Sequence, residues 1–256
     1  MQSVLIGGVN DPNILALQPY FNNFVDIKSN ISWDLNKDYI TVNNNILNIN
    51  SLFIRYDAFE TVKSINLKQN FNYSLIWNYL QCYKKIKIYN RFYYDRPIQK
   101  LTNLVLAKRL GLTIPNTEYS IGDGINNKIL KPIDGGAHAD EGTLAAYDCI
   151  VQDKIIGENK RLYIINDKHF CFKLNTTMID YRNDDNTTIE LSSISEDTID
   201  KSFKLAKKLN LNFCALDFMT NKKEYFLEIN TGPMFSEFSK ITNSNLAKTI
   251  STELIQ

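Results

Sequence analysis

Histidine and cysteine are scarce in this chain. Only His138 and His169 occur among its 256 residues, and the four cysteines, Cys82, Cys149, Cys171 and Cys214, make no CxxC pair. That argues against a zinc cluster or a disulfide framework, and the thiols fit a reducing cytoplasm. No stretch approaches the roughly 18–20 apolar residues that a membrane helix needs. Met1 to Asn10 lacks the basic region and apolar core of a signal peptide. An excess of charge is missing as well: 29 Lys and Arg stand against 28 Asp and Glu, for a net charge of +1. The chain as a whole sets up no field for nucleic acid or a membrane surface, so any anion site must be local. Val4 to Gly8 is a short buried-strand pattern ending in two glycines, yet the GxGxxG spacing of a dinucleotide fold is absent. No Walker loop and no internal repeat is found either.

What is there is an ordinary globular composition, 44% hydrophobic and 22% charged, with room for one to two and a half domains. Asn13 to Phe24 is expected to be a helix behind Asp11-Pro12. Tyr39–Val42 and Ile46–Ile49 are expected to pair across an Asn-rich turn, and Ser51 to Tyr56 to form a strand ending near Arg55. Helical spacing covers Leu67 to Lys85. A second helix opens at Pro97 and stops at Gly111. After it come strands at Lys128–Ile133, a hairpin of Leu162–Ile165 with His169–Leu174, a polar loop over 175–197 and a helix over Thr198–Leu209. A last helix runs from Asn243 to Ile255. Helices mixed with antiparallel hairpins indicate an α+β fold, with a small α/β domain over residues 1–88.

The C-terminal run FCALDFMTNKKEYFLEINTGP, Phe213 to Pro233, concentrates the chemistry. Two apolar, aromatic segments flank a polar break and predict a hairpin. A two-residue turn at Lys222-Lys223 sets Asp217 directly opposite Glu228, with Asn230 on the same face. Two carboxylates and an amide oxygen are hard ligands of the kind Mg²⁺ prefers; a half-exposed acidic surface explains the same residues. Lys131, followed by Gly135-Gly136, has the look of a phosphate cradle, or of a surface lysine before a turn. Val151 to Ile155 is an apolar strand edge able to bond an adenine through its backbone, and Glu158 or Asn159 follows where ribose hydroxyls would lie. Arg161 sits on an alternating strand and needs an anionic partner. Arg182, in IDYRNDD, reads by itself as one half of a local salt bridge.

The order of Lys100, the IP-x-T loop, Lys131-Pro132 with its glycines, Gln152, the E-x-x-R strand and D-(x10)-E-I-N-x-G-P resembles the ATP-grasp family over Ile88 to Ile255. The resemblance implies two lobes, 89–152 and 153–256, whose antiparallel sheets clasp ATP. It implies that Lys100 and Lys131 contact phosphates, with Gln152, Asp153, Lys154 and Ile155 at adenine and Glu158 at ribose. Asp217, Glu228 and Asn230 would hold Mg²⁺, normally two ions. Arg161 and Arg182 would face the transferred phosphoryl group or the substrate carboxylate, and the Gly135–His138 loop would be a lid. ITVNNNILNINSLFIRY and IDYRNDD are further similar to segments of microviridin-type (graspetide) ligases, which join side-chain carboxylates of a ribosomally made peptide to its Ser, Thr or Lys side chains. The chain departs from them at Phe53-Ile54-Arg55, which lacks the usual Trp, and at Tyr181, which stands in a Trp place. Two other readings are a RimK-like ligase acting on a protein terminus or a small molecule, and an ATP-binding module without catalysis. A cytoplasmic protein acting without nucleic acid or membrane is expected, and a homodimer is compatible with it.

Overall fold

The computed structural model describes residues 2–56, 63–91, 100–121, 128–132, 140–141, 148–176, 186–241 and 245–256. The chain divides into two compact units. One comprises Met1–Tyr94 together with Met234–Gln256, the other Asp95–Pro233.

The first unit opens with β1 (Gln2–Gly7), α1 (Pro12–Leu17), β2 (Asn23–Asp26), β3 (Ile31–Asp34), β4 (Tyr39–Val42), β5 (Asn45–Ile46), β6 (Ile49–Ile54), α2 (Lys63–Cys82) and β7 (Lys87–Ile88). A parallel sheet runs in the order β2-β1-β6-β7. Residues 3–7 of β1 are buried without a break, as expected of a strand covered on both faces of a parallel sheet. Val4, Ile6, Leu52, Ile76, Trp77 and Leu80 anchor the core. Asp11 caps α1, its Oδ1 accepting from the Asn13 N–H at 2.8 Å. This helix is shorter than its sequence predicts. Pro19 lacks an N–H and starts a 3-10 turn over Gln18–Tyr20, which delivers the chain into β2 instead. Asn43 and Asn44 adopt φ of 49° and 66° and form the two-residue turn between β4 and β5.

The second unit continues with α3 (Lys100–Arg109), β8 (Thr117–Ile121), β9 (Lys128–Pro132), β10 (Asp140–Glu141), β11 (Asp148–Asp153), β12 (Glu158–Ile165), β13 (Lys168–Asn175), β14 (Thr188–Ser192), α4 (Glu196–Lys208), β15 (Phe213–Thr220) and β16 (Glu224–Asn230). Among the described residues these strands make two antiparallel sheets, ordered β10-β9-β11-β8 and β14-β13-β12-β15-β16. Helices alongside antiparallel sheets are the α+β architecture the sequence predicts. β14 lies inside the stretch expected to be loop. Its Ile189 and Leu191 alternate with polar residues, a strand signal masked by the surrounding Asn, Ser and Asp. α4 is capped by Ser195, whose Oγ accepts from the Thr198 N–H at 3.3 Å. No helix among the described residues is long and apolar enough to cross a membrane.

After β16 the chain enters the first unit, through α5 (Ser236–Ser239) and α6 (Leu246–Ile255). The sequence had suggested keeping this tail with residues 89–233. Asn13, fully buried, accepts through Oδ1 from the N–H groups of Phe235 (2.7 Å) and Ser236 (3.0 Å). Its own Nδ2 donates to Asp11 Oδ1, and Asp11 Oδ2 accepts from Arg55 Nε at 2.8 Å. Tyr89 adds a hydrogen bond from its hydroxyl to the Ile250 carbonyl. Asn13→Ala strands two buried N–H groups and is expected to cost roughly 2–4 kcal/mol. Trp33 and Trp77, the two tryptophans of the chain, both lie in this unit. Urea unfolding followed by tryptophan fluorescence therefore reads the loss directly.

Candidate active site

The hairpin of β15 and β16 sets Asp217 opposite Glu228 and Ala215 opposite Asn230. The route differs from the one expected. The turn spans three residues, Asn221 to Lys223, so that Thr220 pairs with Glu224 and Phe218 with Phe226. A bulge at Leu227 then adds a residue to β16 and restores the alignment of Glu228 with Asp217. The extra turn residue and the extra bulge residue cancel.

β12 pairs on the other side of β15 and places Arg161 opposite Asp217. One row therefore crosses the whole sheet: Leu191, Phe172, Arg161, Asp217, Glu228. Arg161 grips Asp217 as a fork, Nε to Oδ1 at 2.6 Å and Nη2 to Oδ2 at 2.9 Å. The guanidinium side chain is 9% exposed and the carboxylate 13%, so the pair is largely dry and strongly oriented. Asn230 Nδ2 bridges the two acids, donating to Asp217 Oδ2 at 2.9 Å and Glu228 Oε1 at 3.4 Å. Two like charges face each other here, and an amide and a guanidinium offset them.

Lys131 on β9 is 8% exposed. Burial pushes its pKa below the ordinary value of 10.5; Glu228 and Asp217 pull it back up, and Lys100, at the start of α3, pushes it down. The four charges thus sense one another, two cations beside two carboxylates. Burial outweighs the acids, so Lys131 is a cation short of anionic company.

In the β11 sheet, Gln152 lies opposite both Thr117 and Ile129, while Ile150 lies opposite Tyr119 and Lys131. Alternation puts Gln152 and Lys131 on one face, with Cα atoms roughly 8 Å apart from strand geometry. Asp153 takes the other face, where it pairs with Lys128. Its backbone N–H donates to the Asn116 carbonyl at 3.0 Å. Lys154 is exposed and Ile155 half-buried on the connection to β12. A cavity of about 270 Å³ opens against the preceding loop, lined by Lys108, Leu112 and residues 113–117.

Two expected residues part company. Asn159 shares the face of Arg161, two residues along. Glu158 falls on the opposite face, bonded by Lys173 Nζ at 2.8 Å, and this partner lowers its pKa. The structure therefore does not gather Glu158 with Arg161, Asp217 and Glu228. Gly135, Gly136, Arg182 and His138 lie outside the described residues.

Gly157, where the connection enters β12, has no room for a side chain. A Cβ there would stand 2.3 Å from the Thr220 carbonyl oxygen. Backbone cannot yield as a side-chain tip does, so Gly157→Ala is expected to cost about 1–3 kcal/mol. Loss of far-UV dichroism on heating, compared with the parent chain, measures it.

The donor set fits a hard divalent cation. Among the described residues no three His, Cys, Asp or Glu side chains converge, so an ion here would rest on Asp217, Glu228 and the Asn230 amide. Phosphate oxygens or water would complete its shell. The amide presents nitrogen to the acids, and its oxygen is a half-turn away.

No protein-family model matches the sequence, and no curated protein is similar to it. Solved structures match over the whole length. The ATP-grasp ligase PsnB complexed with a minimal precursor superposes with a TM-score of 0.76 at 19% identity, covering 99% of this chain and 98% of that one. The macrocyclase MdnC from Microcystis aeruginosa MRC, bound with precursor peptide MdnA, gives 0.76 at 15% identity, with 99% of each chain covered. D-alanine–D-alanine ligase from Bacillus anthracis, complexed with ATP, gives 0.62 at 14% identity, covering 99% and 94%. Over its full length, this chain has the ATP-grasp fold.

Proposed function

We propose that the protein is an ATP- and Mg²⁺-dependent ligase that joins a carboxylate to an amine or hydroxyl within a ribosomally made peptide. The observation that carries this reading is the meeting of buried, under-compensated Lys131 with the Arg161–Asp217–Glu228–Asn230 row. Such a site asks for an anion and a cation together, as a magnesium-bound polyphosphate supplies them. Its full-length likeness to ligases in complex with precursor peptides favours a peptide substrate.

In this reading Lys100 and Lys131 hold phosphate oxygens, Gly135-Gly136 offer backbone N–H groups, and Gln152 to Ile155 bind the base. Asp217, Glu228 and Asn230 would hold Mg²⁺, two ions by the resemblance, which when bound offsets charge on phosphate oxygens. ATP supplies the phosphoryl group that turns a carboxylate into an acyl phosphate. Arg161, its fork fixed by Asp217, contributes positive charge at a set position, with Arg182 as a second cation. Water must be kept from the activated carboxylate. Glu158, turned to the other face, is no longer a first choice for ribose, and Asn159 replaces it. Neither Cys171 nor Cys214 suits covalent catalysis. Burial pushes the Cys171 thiol up to about 11 and raises that of Cys214 as well, so neither ionises at neutral pH. The reading suits a reducing cytoplasm and needs neither nucleic acid nor membrane.

Incubation with ATP, Mg²⁺ and a peptide encoded beside the ligase tests it by mass spectrometry. Loss of one water per bond, with stoichiometric ADP, is the expected result. ADP formed only with free amino acids or a protein terminus transfers the assignment to a RimK-like activity. ATP binding with no ADP under any acceptor leaves a binding module.

A further inference from the structure

Gln152 holds an amide oxygen with nothing to accept. The residue is 1% exposed, and Oε1 has no hydrogen-bond donor among the described residues. Its Nε2 is occupied, donating to Thr117 Oγ1 at 3.0 Å. Thr117 in turn donates its hydroxyl proton to the Pro115 carbonyl at 2.7 Å. A carbonyl only accepts, so the single hydroxyl proton is committed there, and toward Gln152 the Thr117 oxygen can act only as acceptor. The amide must then turn its NH₂ to Thr117 and its oxygen away. The polarity of the chain Gln152 to Thr117 to Pro115 runs one way. Strand register holds it in place, because Thr117 lies opposite Gln152 on β8 and β11. The Asp153 N–H to Asn116 carbonyl bond pins the loop to the same strand end.

A buried acceptor left without a donor is costly, and such groups are rare unless a ligand or water satisfies them. Gln152 shares the Lys131 face of this sheet, where in the nucleotide reading a group of the nucleotide would supply the missing donor. Resting on the nucleotide reading above, we propose that Thr117 is a positioning residue that sets base specificity. By locking Gln152 Oε1 as an acceptor, it selects a base whose edge carries an exocyclic amine, adenine, over one carrying a carbonyl oxygen there. Against a 6-oxo purine, two acceptors would face each other with no proton between them. Thr117→Val removes the acceptor that holds the NH₂ end, so the amide is free to present either end.

Calorimetric titration of the parent and variant chains with ATP and with inosine triphosphate, which carries a carbonyl oxygen at position 6 and a proton on N1, reads this through the change in the ratio between parent and variant. The parent chain is expected to prefer ATP by roughly 10- to 100-fold in Kd. Thr117→Val is expected to bring the two within about threefold, whereas Thr117→Ser, which keeps the hydroxyl, retains the preference. Gln152→Met, lacking both ends, collapses the ratio too and decides the matter if the valine variant does not fold. Equal binding of the two nucleotides by the parent chain overturns the proposal and leaves the nucleotide reading standing. A Thr117→Val variant that weakens both equally, or a Gln152→Met variant that keeps the parental ratio, overturns it as well. No binding of either nucleotide by the parent removes both.

Discussion

Glu228→Gln should abolish turnover and leave the fold intact, while Asp217→Asn should damage both. The two acids share a row, yet they carry different loads. Asp217 accepts two hydrogen bonds from buried Arg161. Asparagine in its place offers one neutral acceptor and removes the negative charge of Asp217 from beside the guanidinium. Breaking a buried pair from one side costs several kcal/mol; with one hydrogen bond kept, about 2–4 kcal/mol is expected. Glu228 is half-buried, and its described hydrogen bond is the 3.4 Å contact from Asn230. Glutamine there removes one of two opposed like charges, so stability should stay within about 0.5 kcal/mol. Both variants lose a hard oxygen charge from the proposed metal site, and ADP formation should fall by at least about 10²–10³-fold in each. Urea unfolding beside an ADP assay separates the cases. Wild-type turnover in Glu228→Gln would remove Glu228 from the metal set.

Lys131→Met is expected to strengthen the free chain and ruin its affinity for nucleotide. Burial holds the Lys131 pKa down despite two nearby acids, so its protonated form is less welcome in the fold than in water. The folded chain then binds fewer protons than the unfolded one between the depressed pKa and the ordinary 10.5. Wild-type stability therefore rises with pH across that window, and the penalty is fully present below it. The methionine variant, of similar length and no charge, should be more stable at neutral pH by on the order of 1 kcal/mol. That advantage should fade above about pH 10.5. Loss of a charged contact to phosphate should weaken ATP binding by roughly 10- to 100-fold. Saturating MgATP would then reverse the order of melting temperatures, since ligand stabilises in proportion to the logarithm of its occupancy ratio. A lysine variant that melts lower than the parent in the absence of nucleotide would contradict this account.

Much of the site could be read before the fold was known. The hairpin was legible because its strands are aromatic and apolar and its break is polar, and Asp217, Glu228 and Asn230 fall on one face as their spacing suggests. The partner of Arg161 was not legible. An arginine on an alternating strand announces that it needs an anion, but only the pairing of β12 with β15 selects Asp217. Glu158 was placed by its distance along the sequence from Gln152; alternation within β12 turned it to the far side, where Lys173 holds it. Thr117 was visible as part of the IP-x-T loop, yet its bond to Gln152 depends on strand order. The tail of the chain is the largest difference. Nothing in residues 234–256 states that Phe235 and Ser236 satisfy Asn13, a partner more than 220 positions away.

The bulge at Leu227 makes the hairpin a counting device. Pair Leu227 regularly with the three-residue turn kept, and Leu227 faces Asp217 while Glu228 faces Leu216, which is fully buried on the opposite side of β15. A carboxylate would then enter an apolar layer, and an apolar side chain would take its seat beside Asp217. Closing the turn to Lys222-Lys223, with Asn221 paired to Glu224, shifts the register by one in the other sense unless the bulge is lost with it. Turn length and bulge are thus two halves of one device, each undoing the register shift of the other, and it is their combination that holds Asp217 opposite Glu228.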